Sequence, residues 1–173
     1  MVMLIMINVV LYEPEIPQNT GNIMRTCAGT GARLHLIKPL GFSLSDKFVK
    51  RSSVNYFEHC NYIVYENFQD FLEKNEGDFY FLTRYGTKDY CDFDFHNVNK
   101  NIYLIFGKES TGIPKEILSK YLDSCARIPT NDNIRALNVA NSVAIVLFEV
   151  LRQQNFPGLL HYDSQKGYDY LEK

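Results

Sequence analysis

The segment from Arg127 to Arg152, RIPTNDNIRALNVANSVAIVLFEVLR, constrains this chain more than any other. It opens with a short extended piece and a polar loop, Thr130-Asn131-Asp132-Asn133, and then predicts a helix that is apolar on nearly every side. Val139, Val143, Val146 and Val150 form one stripe; Leu137, Ala140, Ala144, Leu147, Phe148 and Leu151 form another. A surface helix of a monomer needs only one apolar stripe. The pattern therefore predicts burial on both sides, the second against another copy of the chain. Arg135, Asn138, Asn141 and Ser142 cluster at the start of this helix, where unpaired backbone N–H groups and the helix dipole favour ligands.

Around that helix, short β-rich apolar runs alternate with helical stretches, which predicts an α/β fold with a parallel sheet flanked by helices. Residues 5–11 form a continuous apolar run, as expected of a strand covered on both faces. Residues 34–37, 62–65, 79–83, 102–106 and 126–128 read as further strands. Between them come a helix capped by Asn19-Thr20 and closed by Gly29 and Gly31, a short basic helix over 46–52, a helix over 67–74 capped by Asn67, and a short helix starting at Pro114. One domain is expected over residues 1–158, followed by a loosely ordered, tyrosine-rich tail over 159–173.

The totals exclude several classes. With 173 residues, 46% apolar and 22% charged, the chain suits one globular domain. A net charge of −2 means that nucleic acid must be met by a local patch. Cys27, Cys60, Cys91 and Cys125 lie far apart without a C-x-x-C pair, which predicts free thiols in a reducing, cytoplasmic setting. His59-Cys60 has no second ligand pair nearby and is read as structural, so no metal is expected. The N-terminal apolar run is too short to span a membrane and lacks a basic flank.

Ligands of open α/β sheets collect at the carboxyl ends of strands. Four polar loops fall there: 13–25, 83–86, 107–112 and 129–138. Gly107-Lys-Glu-Ser-Thr-Gly112 lacks the G-K-[ST] of a P-loop, Gly29-Thr-Gly31 follows a helix and fails as a dinucleotide fingerprint, and neither G-x-S-x-G nor H-E-x-x-H occurs. Gly107 and Gly112 would let backbone approach a flat ligand, with Glu109 the carboxylate between them, although the loop alone reads equally as a plain strand-to-helix turn. Arg25 faces either a cleft or water. Lys47, Lys50 and Arg51 read as a solvated face able to touch phosphates.

Taken together, the runs EPEIPQNTGNIMRTCAGTGARLHLI, LIFGKESTGIP and RIPTNDNIRALNVANSVAIVLFEVLRQ resemble the three motifs of the SPOUT, or α/β-knot, RNA methyltransferases, in the same order and over almost the entire chain. Within that family the single-domain length and the opening NVVLYEPEIPQNTGN most resemble the TrmL (YibK) type, which methylates the 2′-oxygen of the wobble nucleotide in leucine tRNAs. The resemblance implies a C-terminal trefoil knot, S-adenosyl-L-methionine as cofactor, and a site completed across a homodimer through the long C-terminal helix. It places Leu82, Thr83, Gly107, Glu109, Gly112, Ile128, Ala136, Leu137 and Asn138 at the cofactor and Arg25, Asn19, Glu109 and Asn138 in the catalytic group. Ala136 departs from the serine common in related enzymes, so a hydroxyl role there is lost or passes to Ser142. Lys50, Arg51, Tyr56, Arg127 and Arg135 are the expected contacts to an anticodon stem-loop, with Lys47 and Arg152 as further candidates. The rivals are 2′-O-methylation of another tRNA site or of ribosomal RNA, and an inactive cofactor- or RNA-binding factor.

Overall fold

The computed structural model describes residues 6–45, 47–96 and 99–173, the side chains of Phe48, Lys50, Val54, Asn55 and Phe57 excepted. In chain order the elements are β1 (Ile7–Tyr12), α1 (Pro17–Thr30), β2 (Arg33–Ile37), α2 (Lys47–Ser53), β3 (Tyr62–Tyr65), α3 (Phe68–Lys74), β4 (Asp78–Leu82), β5 (Lys88–Asp89), β6 (Ile102–Phe106), α4 (Lys115–Leu118), β7 (Cys125–Arg127) and α5 (Val139–Gln153). Short 3-10 turns punctuate the connections. The seven strands form one sheet in the order β3-β2-β1-β6-β4-β7-β5, and every pairing is parallel.

Why the sheet is buried follows from its sequence. Every residue of β1 and β6 is buried, as runs that are apolar but for Asn8 require when helices cover both faces. The strand period of two then divides the core. Ile7, Val9 and Leu11 of β1 point to the layer that holds Ile23, Met24 and Cys27 of α1 and Val143, Val146, Leu147, Val150 and Leu151 of α5. Val10 and Tyr12 point to the opposite layer, with Phe71 of α3, Phe81, Ile105 and Leu118.

One expectation needs correction. Asn19 and Thr20 do not cap α1: the helix starts two residues earlier, at Pro17, and Ile16 is its N-cap. Pro suits a first-turn position because its missing N–H would have no helical partner, and that outweighed the asparagine signal. At the other end Gly31 closes α1 with φ 75°, a left-handed conformation that glycine adopts without strain. Within the chain α5 buries one face, the one that carries Val143, Val146, Leu147, Val150 and Leu151. Phe148 remains 46% exposed and Ala144 and Ile145 are half-buried. Strand β5, two residues inside the Asp- and aromatic-rich loop, was not anticipated; it is too short to show a period. Asp46, the expected start of the basic helix, lies outside the described residues. Beyond α5 the tail is a succession of turns in which Tyr162 stacks on Tyr168 at 4.5 Å and Leu159 reaches the core.

One polar chain crosses the buried sheet. Asn8 of β1 uses both amide hydrogens, on the carbonyls of Met6 (2.7 Å) and Ile102 (3.1 Å), so its Oδ1 can only accept. His35 Nε2, 2.9 Å from that oxygen, must therefore carry the proton, and Nδ1 accepts from the Tyr65 hydroxyl at 2.8 Å. Tyr65 Oη in turn receives the Asn75 amide at 3.1 Å. Every partner is satisfied by a neutral imidazole. Burial, and secondarily the Arg33 charge, pushes the His35 pKa from 6.5 down to about 4. Above pH 6.5 the ring is neutral in both folded and unfolded chains. As pH falls through 6.5 the unfolded chain takes up a proton that the folded chain refuses until about pH 4, so stability is lost across that window, by about 3 kcal/mol. Urea midpoints measured from pH 7 to pH 4 should fall more steeply for the wild type than for His35→Gln. Equal slopes would exclude His35 as the cause.

Candidate active site

Loops at the carboxyl ends of β1 and β6 clasp each other through reciprocal carboxylates. Lys108 Nζ pairs with Glu13 at 2.8 Å, and Glu15 accepts both the backbone N–H and the hydroxyl of Ser110 at 2.8 Å each. The Ser110 hydroxyl, followed by its N–H, holds the Glu15 carboxyl below its ordinary pKa. Glu109 reaches the other way. Its Oε2 accepts from Glu15 N (2.9 Å), and its Oε1 from Ile16 N (3.2 Å) and from Asn19 Nδ2 (3.0 Å). Ile16 has no side-chain group to cap α1, so Glu109 supplies the negative charge that the positive end of the helix dipole favours. The turn beneath is tight: a Cβ on Gly107 would lie 2.4 Å from the carbonyl carbon of Gly112.

From Asn19 the chain of bonds continues. Asn19 Oδ1 accepts from Asn138 Nδ2 at 3.0 Å, and Asn138 Oδ1 accepts from the backbone of Ala140 (2.9 Å) and Asn141 (3.4 Å), capping α5. Ser142 Oγ donates to the Asn138 carbonyl at 3.1 Å. Glu109, Asn19 and Asn138, far apart in sequence, thus form one line that ties β6 to the starts of α1 and α5. Thr20, beside them, is fully buried, and its hydroxyl has no hydrogen-bond partner among the described residues.

A cleft of about 420 Å³ opens next to this line. Of the residues expected at the cofactor, Leu82, Thr83, Gly107, Glu109, Gly112, Ile128, Ala136 and Leu137 line it; Asn138 lies between two lining residues, Leu137 and Val139, without lining it. Arg127 and Arg135, expected at RNA, also line the cleft, and the Arg127 Nε is sealed from solvent with no hydrogen-bond partner among the described residues. Arg84 and Tyr85 belong to its wall and were not singled out from sequence, although the loop carrying them was. The other expected residues lie elsewhere. Arg25 is exposed on α1, its guanidinium 5.5 Å from the centre of the Tyr56 ring, and is not part of the cleft wall. Arg51 is exposed, Arg152 is bonded to Glu149 at 2.8 Å, and the Lys50 side chain lies outside the described residues. Lys47 is exposed. Among the described residues no group of His, Cys, Asp or Glu could hold a metal, the four cysteines are free, and no helix is long and apolar enough to cross a membrane.

Because Asn19 bridges the other two, their contributions should be coupled. Glu109→Gln places an amide donor against N–H donors and Asn138→Ala removes the α5 cap; each should cost about 1–2 kcal/mol in urea unfolding. The double variant should lose less than the sum. Simple additivity would show that the three side chains act independently.

Comparison with known proteins places this geometry. The SpoU rRNA Methylase family model matches residues 6–148. A chain of Geobacillus stearothermophilus, provisionally named a tRNA (cytidine(34)-2′-O)-methyltransferase, is 50% identical over 154 residues, 88% of this chain and 98% of its own. The tRNA (cytidine(34)-2′-O)-methyltransferase of Methylovorus glucosotrophus is 43% identical over 155 residues, covering 88% and 99%. A solved structure described as bearing on 2-OH methylation of C/U34 on tRNA superposes with a TM-score of 0.81 at 37% identity, over 87% of this chain and 97% of that one. The chain belongs to the SpoU methylase family and is an S-adenosylmethionine-dependent RNA 2′-O-methyltransferase.

Proposed function

We propose that the protein methylates the ribose 2′-oxygen of the wobble nucleotide, cytidine or uridine 34, in leucine tRNAs. The observation that carries the reading is similarity across nearly the whole length of a relative named for that nucleotide, 43% identity over 99% of it. The cleft supports the choice of cofactor. Its volume of about 420 Å³ falls within the range of small-molecule sites, and Leu82, Ile128 and Leu137 offer apolar walls beside the backbone of Thr83, Gly107 and Ala136. Those residues fit S-adenosylmethionine. Ala136 carries no hydroxyl, so what it offers a ligand is backbone, which the substitution preserves.

When bound, the cofactor supplies a methyl group on an already activated sulfonium, so alignment and proton handling fall to the protein. Glu109, Asn19 and Asn138 keep the cleft edge and both helix starts in register. Arg25 grips the substrate phosphate and stabilises negative charge developing on the 2′-oxygen. A guanidinium offers donors and no acceptor, so the proton passes to phosphate or water.

A second copy of the chain completes the site in this reading. Two features support it: Arg25 is not part of its own cleft wall, and α1 and α5, packed together, expose Ile16 (41%) and Phe148 (46%). Covering those apolar groups with a partner's α5 would bring its Arg25 to this cleft. The family's trefoil knot belongs to the same reading, supported by the insertion of β6 between β1 and β4 with β7 on the far side of β4.

Labelled S-adenosylmethionine incubated with unmodified leucine tRNA should deposit its methyl on the wobble ribose. Label confined to ribosomal RNA, or absent from every RNA despite cofactor binding, would overturn the assignment. Arg25→Ala should abolish transfer, at least a hundredfold, while cofactor affinity persists. Mixed dimers of Arg25→Ala with a Leu137→Arg cofactor-site variant should regain activity; complete inactivity would exclude a shared site.

A further inference from the structure

Three guanidinium groups converge on the cleft. Lys38, Lys74, Lys100, Lys108 and Arg152 are each ion-paired. Arg84, Arg127 and Arg135 line one cleft, and none of the three meets a carboxylate among the described residues. S-adenosylmethionine has a single carboxylate and brings a sulfonium and an ammonium of its own. It cannot neutralise three guanidinium groups. The surplus marks the cleft mouth for a second ligand that is anionic.

Beside those charges stands an aromatic ring held in place. Tyr85 is 65% exposed. The Arg84 guanidinium lies over one side of its ring, 4.7 Å from the centroid, and Arg84 Nη2 donates to the Tyr85 hydroxyl at 2.6 Å. The backbone below is anchored at three points: Thr83 N to Ala126 O (2.9 Å), Tyr85 N to Thr83 Oγ1 (3.3 Å) and Gly86 N to Thr83 O (3.2 Å). A Cβ on Gly86 would come within 2.7 Å of the Ala126 carbonyl carbon, so the loop lies directly on β7. An exposed tyrosine on a fixed loop, with one side braced by a cation, offers its ring at little further entropic cost.

We propose that Tyr85, braced by Arg84, is the stacking platform for a nucleobase of the RNA strand presented to the cleft, while Arg127 and Arg135 receive the adjoining phosphates. Single-stranded RNA is bound in this way, by bases stacked on aromatic rings beside cationic groups. The assignment rests on the RNA-methyltransferase reading and adds to it a residue that binds the substrate.

The test compares wild type, Tyr85→Ala and Tyr85→Phe by KM for unmodified leucine tRNA and by calorimetric Kd for S-adenosylmethionine. Tyr85→Ala should raise the KM for RNA about tenfold, with cofactor Kd unchanged, and Tyr85→Phe should stay within about twofold of wild type. A wild-type KM in Tyr85→Ala overturns the platform. So does a weakened cofactor Kd, which would assign the ring to the adenine, or a Tyr85→Phe defect equal to that of Tyr85→Ala, which would assign the effect to the hydroxyl. Inactivity of the wild type on every RNA overturns the functional reading itself, whereas an active wild type with an unaffected Tyr85→Ala overturns the platform alone.

Discussion

Everything at the carboxyl edge of the sheet depends on where the Glu109 carboxylate points. A carboxylate has two oxygens and no hydrogen, so it can receive several donors at once. Here it receives the backbone of Glu15 and Ile16 and the amide of Asn19. That single group closes the start of α1, whose N-cap residue is an isoleucine, and orients Asn19 so that its oxygen faces Asn138. Asn138 then closes α5. Three loops separated by most of the chain are thereby held against one cleft through directional bonds, whose geometry tolerates little displacement.

The sheet beneath has a different logic. Strands covered on both faces leave little room for polarity, and Asn8, His35 and Tyr65 are exceptions made tolerable by full hydrogen bonding. The direction of each bond is dictated by its neighbour, from the Asn75 amide to the carbonyls of Met6 and Ile102. A single tautomer of His35 fits. The network lies on the same face of the sheet as Phe71 and Tyr103, whose rings meet the imidazole edge-on, and it links four strands through side chains instead of through the ladder alone.

Polar and apolar surfaces divide the working parts of the protein. Three arginines, Arg84, Arg127 and Arg135, line the cleft without meeting a carboxylate among the described residues, while Ile16 at the start of α1 and Phe148 of α5 are left exposed. Arg25 stands apart from the cleft, over Tyr56 on the α1 side. A cleft able to take a small ligand and a rim rich in guanidinium groups suit an enzyme that brings a cofactor and an RNA together.

Sequence by itself determined the parallel α/β architecture, because β1, interrupted only by Asn8, and β6 are apolar runs that a sheet covered on both faces buries. It also determined the termini that local chemistry dictates, Asn67 capping α3 and Gly31 closing α1, whereas Pro114, expected as the first residue of α4, is its N-cap. Most residues expected at the cofactor do line one cleft, since motif order and strand ends are properties of the chain. What only the tertiary structure decided depends on contacts between distant residues. Asn19 looked like a cap and is a bridge, because the true cap of α1 is a carboxylate over ninety positions away, which no local pattern can announce. Arg84 and Tyr85 became a wall because Gly86 rests on Ala126, and Arg25 left the cleft because it projects from an exposed position on α1. Periodicity specifies which face of an element is buried; what it is buried against, and which side chains then meet, is settled by packing in three dimensions.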